Sequence, residues 1–235
     1  AFDDYKKVTK HDYHGISVKS RIILQLIISI ICCYIANKYM NYNSKVYFPF
    51  SKDLFIDLGY LFIPWTIFVI IGSSNAVNIT DGLDGLCSGL SVVAFLAYGV
   101  IAWGSDWIVG YESLAIFSFI LVGGLLGFLL FNAHPARIFM GDTGSLALGG
   151  ALATIAILTH HELSLAIIGG VFVIETLSSA IQIIAIRKFH KKVFLKAPIH
   201  HHFEELGWAE TDIVRIFWVV GFLLAMFGVI YGVWL

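Results

Sequence analysis

Seven long apolar stretches restrict the fold of this chain more than any other feature of its sequence. A helix needs about 20 mostly apolar residues to cross the hydrocarbon core of a bilayer. The expected spans cover residues 20–37, 58–74, 86–103, 113–131, 145–159, 163–186 and 213–233. Seven stretches that are apolar on all sides could not all be buried inside a soluble chain of 235 residues. The sequence therefore predicts an all-α integral membrane protein, a polytopic bundle of about seven transmembrane helices in the lipid bilayer.

Composition and charge agree with this prediction and set an orientation. Charged residues make up 13% of the chain and the mean hydropathy is +0.84, whereas soluble domains are about 25% charged. Of the 15 Lys and Arg residues, only Lys38, Lys45 and Lys52 fall on one side of the predicted bundle. The other side, which carries the remaining basic residues, is expected to face the cytoplasm. The net charge of −1 says nothing more about partners, and no nucleic-acid partner is expected.

Four polar clusters all fall on this basic side. They cover residues 3–7, 75–85, 132–145 and 198–204, and two apolar spans separate each cluster from the next. An even number of crossings returns the chain to the side that it left. The sequence therefore predicts one shared site, rich in carboxylates, amides, histidines and cations.

The first cluster pairs Asp3 and Asp4 with Lys7. Two carboxylates beside cations can bind Mg²⁺ or take a proton while the cations meet phosphate, although a solvated collar at the membrane surface is an alternative. Lys19 and Arg21 are interpreted as snorkelling residues at the mouth of the first span, and Lys19 could also face a phosphate.

In the second cluster Asn75, Asn78, Asp81 and Asp84 recur every three residues. On a helix this spacing spreads them over one broad face. Gly82 and Gly85 permit a sharp turn and a close approach to a ligand. The alternative is a polar turn, but four oxygen-bearing side chains at the end of a span indicate a functional site.

The third cluster places Asn132 and Asp142 around a Gly-Asp-Thr-Gly turn. Glycines and hydroxyls at the start of a helix suit a phosphate cradle. Thr143 or Ser145 as a plain N-cap is the alternative, and both interpretations can hold together. Asp142 is a candidate metal ligand.

The fourth cluster contains the consecutive histidines His200, His201 and His202. Neighbours on a helix differ by about 100°, so a strand or loop is expected here. Hydrogen bonding to phosphate or sugar oxygens is favoured over zinc, whose ligands are usually spaced.

Two further features concern the spans themselves. Glu175 lies inside a span, which indicates a cavity or a partner, and Gln182 could share that cavity. His160 and His161 are expected at the surface of the opposite face.

Four motifs, in this order and spacing, resemble the polyprenyl-phosphate N-acetylhexosamine-1-phosphate transferase superfamily. They are the aspartate pair at 3–4, NAVNITDGLDGL at 75–86, FNAHPARIFMGDTGS at 131–145 and APIHHHFE at 197–204. The last motif resembles the signature of the phospho-N-acetylmuramoyl-pentapeptide transferase branch. The resemblance covers essentially the whole chain and matches the C-terminal two-thirds of a ten-helix family, in which about three more helices precede the aspartate pair.

The resemblance implies a Mg²⁺-dependent, homodimeric enzyme of the bacterial cytoplasmic (inner) membrane with its site facing the cytoplasm. Such an enzyme transfers phospho-MurNAc-pentapeptide from UDP-MurNAc-pentapeptide to undecaprenyl phosphate, giving lipid I and UMP. Matching motif to motif assigns catalytic roles to Asp3, Asp4, Lys7 and Asp142, with Asp142 binding Mg²⁺. The residues assigned to substrate binding are Lys19, Asn75, Asn78, Asp81, Asp84, Asn132, Gln182, His200, His201 and His202.

The whole chain, residues 1–235, is expected to form one membrane-embedded transferase domain with site loops at 1–19, 74–85, 132–144 and 187–212. Three rival classes remain. A sister enzyme would use UDP-N-acetylglucosamine. A transporter would place its site near the midplane between inverted repeats. A purely structural protein leaves Asp81, Asp84 and Asp142 without a role.

Overall fold

The computed structural model describes residues 17–40, 44–49, 51, 53–104 and 111–233. Asp3, Asp4 and Lys7, with their predicted roles, lie outside these ranges. The helices are α1 Val18–Met40, α2 Phe62–Thr80, α3 Leu86–Gly104, α4 Tyr111–Asn132, α5 Gly141–Leu158, α6 Glu162–Ile168, α7 Gly170–Phe189, α8 Ile199–Glu205 and α9 Glu210–Val233. Strands β1 Lys45–Tyr47 and β2 Phe55–Asp57 pair antiparallel between α1 and α2, and a 3₁₀ helix, Gly59–Leu61, precedes α2.

The prediction of an all-α polytopic membrane protein is confirmed. Within the described ranges, six helical segments are long and apolar enough to cross a membrane. They are Gly59–Thr80, Leu86–Gly104, Tyr111–Asn132, Gly141–Leu158, Gly170–Phe189 and Glu210–Gly232. Helix α1 lies where the first span is predicted. The predicted span 163–186 is wrong in one respect, because the chain breaks at Gly169 into the short α6 and the long α7.

Helix α3 forms the centre of the bundle. In its most apolar window 72% of the residues are buried, against 22–39% in the other five segments. Phe95, Tyr98 and Ile101 of α3 have no exposed surface. The peripheral helices leave large apolar side chains open, such as Phe68 of α2 and Leu223 of α9. Such surfaces are stable where lipid replaces water as the solvent.

The packing of α2 against α5 positions the predicted site residues. Ser73 Oγ donates a hydrogen bond to Gly149 O at 2.8 Å, and Ser74 Oγ donates to Leu146 O at 3.1 Å. A Cβ added to Gly149 would lie 2.5 Å from Ser73 O, so only glycine allows this approach. The contact holds the C-terminal end of α2 beside the first turns of α5.

The prediction that His160 and His161 lie at the surface is wrong. They are 6% and 8% exposed because the hairpin and the end of α3 cover them. The ring of Tyr47 meets His160 edge-on at 5.6 Å, and Tyr98 Oη donates to His161 O at 3.0 Å. Burial lowers the pKa of His160 to about 4, followed by the influence of its neighbour His161. His160 is therefore neutral at physiological pH.

Candidate active site

The second, third and fourth polar clusters meet at one end of the helices. Asn78 at the end of α2 contacts Asp142 in the first turn of α5. The turn after α2 contacts the loop after α4 through Asp84 and the N–H of Ala136. His200 of α8 lies directly against Gly82 of the same turn. Clusters far apart in sequence thus share one region of the molecule.

Asp142 is the most densely connected of the predicted site residues. Its Oδ1 accepts a hydrogen bond from Asn78 Nδ2 at 3.0 Å, and its Oδ2 pairs with an Arg21 guanidinium nitrogen at 2.8 Å. The other Asn78 Nδ2 proton goes to Ser145 Oγ at 2.9 Å. The interpretation of Arg21 as a snorkelling residue is therefore wrong, since its charge is held by a site carboxylate. Lys19, two residues earlier along the same helix, is exposed.

Asp81 follows directly after α2 and lies beside the start of α5. Burial first, and then the negative charge of Asp142, raise its pKa to about 6, although a hydrogen bond from the Gly141 N–H opposes both. Two carboxylates close enough to affect each other's ionisation would both be stabilised by a cation between them. Carboxylate and amide oxygens are ligands that suit Mg²⁺.

The predicted N-cap of α5 is wrong. The N-cap residue is Met140, with no side-chain cap hydrogen bond. Ser145 Oγ instead donates back to Gly141 O at 2.9 Å, within the helix. The carboxylate of Asp81, which follows α2, accepts the Gly141 N–H. A negative charge from outside α5 therefore lies at the positive N-terminal end of this helix.

An open groove starts at the Arg21–Asp142 pair. Its volume is about 490 Å³, within the usual range for small-molecule sites. Polar groups of Arg21, Gln25, Asp142 and Thr143 line part of it, and the remaining lining is largely apolar. The apolar side chains are Leu24, Ile28, Cys32, Ile70, Leu146 and Ala147. The groove therefore joins a charged mouth to an apolar channel between α1, α2 and α5.

Asp84 belongs to a second polar group, which involves two residues that sequence reasoning missed. His134 Nδ1 lies 3.2 Å from Asp84 Oδ2 and 3.3 Å from Glu210 Oε2. Glu210 Oε1 accepts the Asp84 N–H at 2.7 Å, and Asp84 Oδ2 accepts the Ala136 N–H at 2.9 Å. Ligand atoms of the three ionisable residues lie within 4.8 Å of one another, so they could hold a metal ion. The sequence feature that could have identified His134 and Glu210 is their position in the predicted site loops 132–144 and 187–212.

Three residues predicted to bind substrate make hydrogen bonds within the protein. Asn132 is buried, accepts a hydrogen bond from Ser88 Oγ at 2.7 Å and donates to Ile138 O at 3.0 Å. Asn75 donates to Gln25 Oε1 at 3.1 Å. Gln182 Oε1 accepts the N–H groups of Val193 and Phe194, both at 3.0 Å, and its Nε2 donates to Phe194 O at 2.9 Å. The amide of Gln182 is therefore hydrogen-bonded to the backbone of this loop.

The three histidines lie on α8, so the expected strand or loop is wrong. Their side chains diverge, as helical geometry requires. His200 is completely buried and its Nδ1 lies 2.9 Å from Glu175 Oε2. His201 Nδ1 contacts Glu204 Oε2, and His202 Nδ1 accepts the Leu195 N–H at 3.1 Å. Sequence reasoning did not include Glu175 among the site residues, but its place inside a span indicated a cavity or a partner. That partner is His200.

Comparison with known proteins identifies the family. Residues 3–160 match the family model of glycosyl transferase family 4. The chain belongs to this family. Within it, the chain is 48% identical over 233 residues to the phospho-N-acetylmuramoyl-pentapeptide-transferase of Bacillus subtilis (strain 168), covering 99% of this chain and 70% of that protein. The protein of the same name from Anoxybacillus flavithermus is 49% identical over 232 residues, which cover 99% of this chain and 70% of that protein.

A third relative also matches nearly the whole chain. The phospho-N-acetylmuramoyl-pentapeptide-transferase of Pelagibacter ubique is 46% identical over 242 residues, which cover 97% of this chain and 67% of that protein. The sequence resemblance to that branch of the transferases is therefore confirmed. Together with the six membrane-spanning segments found in the described residues, this makes the chain a multi-pass membrane transferase.

Proposed function

We propose that this chain transfers phospho-MurNAc-pentapeptide from UDP-MurNAc-pentapeptide to undecaprenyl phosphate, giving lipid I and UMP. The observation that carries the proposal is the Asp142 centre at the mouth of the apolar groove, in a chain about 48% identical to transferases named for this reaction. The acceptor has a phosphate head and an apolar tail, which the charged mouth and the apolar channel match.

The chemistry is a phosphoryl transfer between two anions. An oxygen of the lipid phosphate attacks the sugar-linked phosphorus, and the bond from that phosphorus to the UMP oxygen breaks. Because charge repulsion opposes this approach, the main tasks of the protein are positioning and electrostatic stabilisation. Arg21 and Lys19 supply positive charge at the mouth of the groove. The lipid phosphate is already mostly ionised at neutral pH, so a dedicated base is less necessary than in hydroxyl chemistry. The resemblance makes Asp3, with Asp4 and Lys7 beside it in the sequence, the candidate for that role.

Mg²⁺ fits the donor set around Asp142. The carboxylates of Asp142 and Asp81 and the amide of Asn78 offer oxygen atoms. Burial and, after it, the negative charge of Asp142 raise the pKa of Asp81, and a cation would offset that charge. When bound there, Mg²⁺ supplies charge neutralisation to the pyrophosphate. Asn78 holds Asp142 from one side and the Gly141 N–H holds Asp81, so the two carboxylates are oriented before a cation arrives.

The remaining assignments belong to the same proposal. Asp84 and the histidines His200, His201 and His202 line the donor side. Asn132 and Gln182 support it by bracing the backbone of the site loops, and Asn75 supports it by holding the side chain of Gln25. The site faces the cytoplasm, where the nucleotide donor is dissolved, and the enzyme lies in the bacterial inner membrane as a homodimer. Residues 1–235 act as a single transferase domain.

Release of UMP from membranes containing this protein tests the proposal. We expect turnover of UDP-MurNAc-pentapeptide with undecaprenyl phosphate, abolished by EDTA and restored by Mg²⁺, and none with UDP-N-acetylglucosamine. Asp142→Asn should remove the activity, whereas Asp212→Asn, a substitution at an exposed carboxylate paired with Arg215, should not. Turnover of UDP-N-acetylglucosamine in place of the muramoyl donor would move the protein to the sister enzymes. Metal-independent turnover would refute the role of Asp142.

A further inference from the structure

A buried ion pair lies beneath the turn formed by residues 81–85. Glu175 in the middle of α7 and His200 in α8 have side chains that are 0% and 1% exposed, and Glu175 Oε2 lies 2.9 Å from His200 Nδ1. A carboxylate at this distance places a proton on Nδ1, which then donates to Glu175, and fixes the orientation of the ring. Nε2 is consequently directed away from α7.

Each partner keeps one polar atom without a hydrogen bond among the described residues. These atoms are His200 Nε2 and Glu175 Oε1, both buried. A buried polar group without a partner destabilises the folded state, and native structures retain few of them. A second use for Nε2 would explain why the fold tolerates this cost.

Nε2 is directed at the most polar turn of the molecule. A Cβ added to Gly82 would lie 2.4 Å from His200 Nε2 and 2.9 Å from Cε1, so the imidazole presses against this glycine. Gly82 itself is exposed and follows Asp81 directly. A displacement of Gly82 would therefore open Nε2 to the region that Asp81 and Asp84 border.

We propose that Glu175 is a positioning residue for the transfer reaction: it orients His200 so that Nε2 hydrogen-bonds a phosphate oxygen of the substrate when Gly82 yields. The proposal rests on the proposed function and adds to it a residue that acts through His200 rather than by touching substrate. Nε2 then meets the phosphate oxygen while Nδ1–H stays committed to the carboxylate of Glu175.

The test uses Glu175→Gln, which keeps the shape and removes the charge. We expect kcat to fall by about 10²-fold, the scale of a lost proton-bearing contact, with the donor KM changed less than about threefold. Glu162→Gln is the matched control, since Glu162 is also buried but lies at the opposite end of the bundle, in α6. It should retain wild-type kcat. A melting temperature close to that of wild type for Glu175→Gln, and partial recovery of kcat in Glu175→Asp, separate this result from misfolding.

A double-mutant cycle decides whether Glu175 acts through His200. In the His200→Asn background, Glu175→Gln should change kcat by less than about twofold, because the group that it orients is gone. Fully additive losses, or a Glu175→Gln variant with wild-type kcat, would overturn the proposal. If wild-type protein fails to use the muramoyl donor at all, the proposed function fails instead, so the two failures are distinguishable.

Discussion

Replacing Gly149 with alanine tests whether the contact between α2 and α5 sets the geometry of the candidate active site. The added Cβ would lie 2.5 Å from Ser73 O and from Ser74 Cα, whereas ordinary contact begins at 3.4 Å. Both atoms belong to the backbone and cannot rotate away. The helices must therefore separate by about 1 Å, because close-packed interiors have no free volume to absorb the methyl group.

This separation would reach Asp142. Asn78 lies about one helical turn beyond the contact on α2, and Asp142 about two turns before it on α5. Their hydrogen bond of 3.0 Å would lengthen or break. A misplacement of about 1 Å can reduce a rate by about 10²-fold, and overpacking destabilises by about 1–3 kcal/mol. We expect a fall of about 10²-fold in kcat for Gly149→Ala, together with a lower melting temperature.

The assay is UMP release at saturating donor, acceptor and Mg²⁺, with folded protein quantified for each variant. Gly150→Ala is the matched control, since its Cβ would meet only the Ser74 hydroxyl at 3.3 Å, which can shift. We expect its kcat to stay within about threefold of wild type, as for a tolerated core change. Wild-type kcat in Gly149→Ala would refute the claim that this contact controls the site.

Three further substitutions follow from the site contacts. Asp81→Asn should raise the melting temperature in EDTA at pH 7.5 but not at pH 4. The pKa of Asp81 is about 6 in the folded protein and about 4 in the unfolded chain, so the wild-type protein loses stability as the pH rises between these values. Gln182→Leu should speed amide hydrogen exchange at residues 190–196, because three hydrogen bonds to this loop are lost. Ser179→Ala should leave the exchange unchanged, because Ser179 Oγ has no hydrogen-bond partner in the described part of the chain. Arg21→Gln should lower the half-saturating Mg²⁺ concentration several-fold by removing a cation 2.8 Å from Asp142, the carboxylate proposed to bind the metal. Arg215→Gln, in an exposed pair, should leave that concentration unchanged.

The spans and the meeting of the polar clusters could be predicted from the sequence because both depend on local composition. A long apolar stretch is helical in lipid whatever its neighbours, and counting crossings places each cluster on a side. The break at Gly169 and the burial of His160 and His161 depend on neighbours distant in sequence. No local pattern indicates that a hairpin covers these histidines.

Individual partners could not be predicted, because each is chosen across the fold. Asp84 meets Glu210 over 126 positions, and Asn78 meets Asp142 over 64. Arg21 has the sequence context of a snorkelling residue, and only the approach of α1 to α5 gives it a carboxylate partner. Proximity to Asp142 in space decides its role.

Bracing residues are the hardest to separate from substrate contacts by sequence, and the distinction changes how a loss of activity is interpreted. Asn132 and Gln182 match positions in the family motifs, yet in this structure their amides are occupied by backbone groups of the site loops. Replacing either one would disturb loop geometry even if no substrate atom touched it. A direct contact should raise the donor KM without changing hydrogen exchange in the loop, whereas a brace should change both. The hydrogen bonds observed here predict the second result for Asn132 and Gln182.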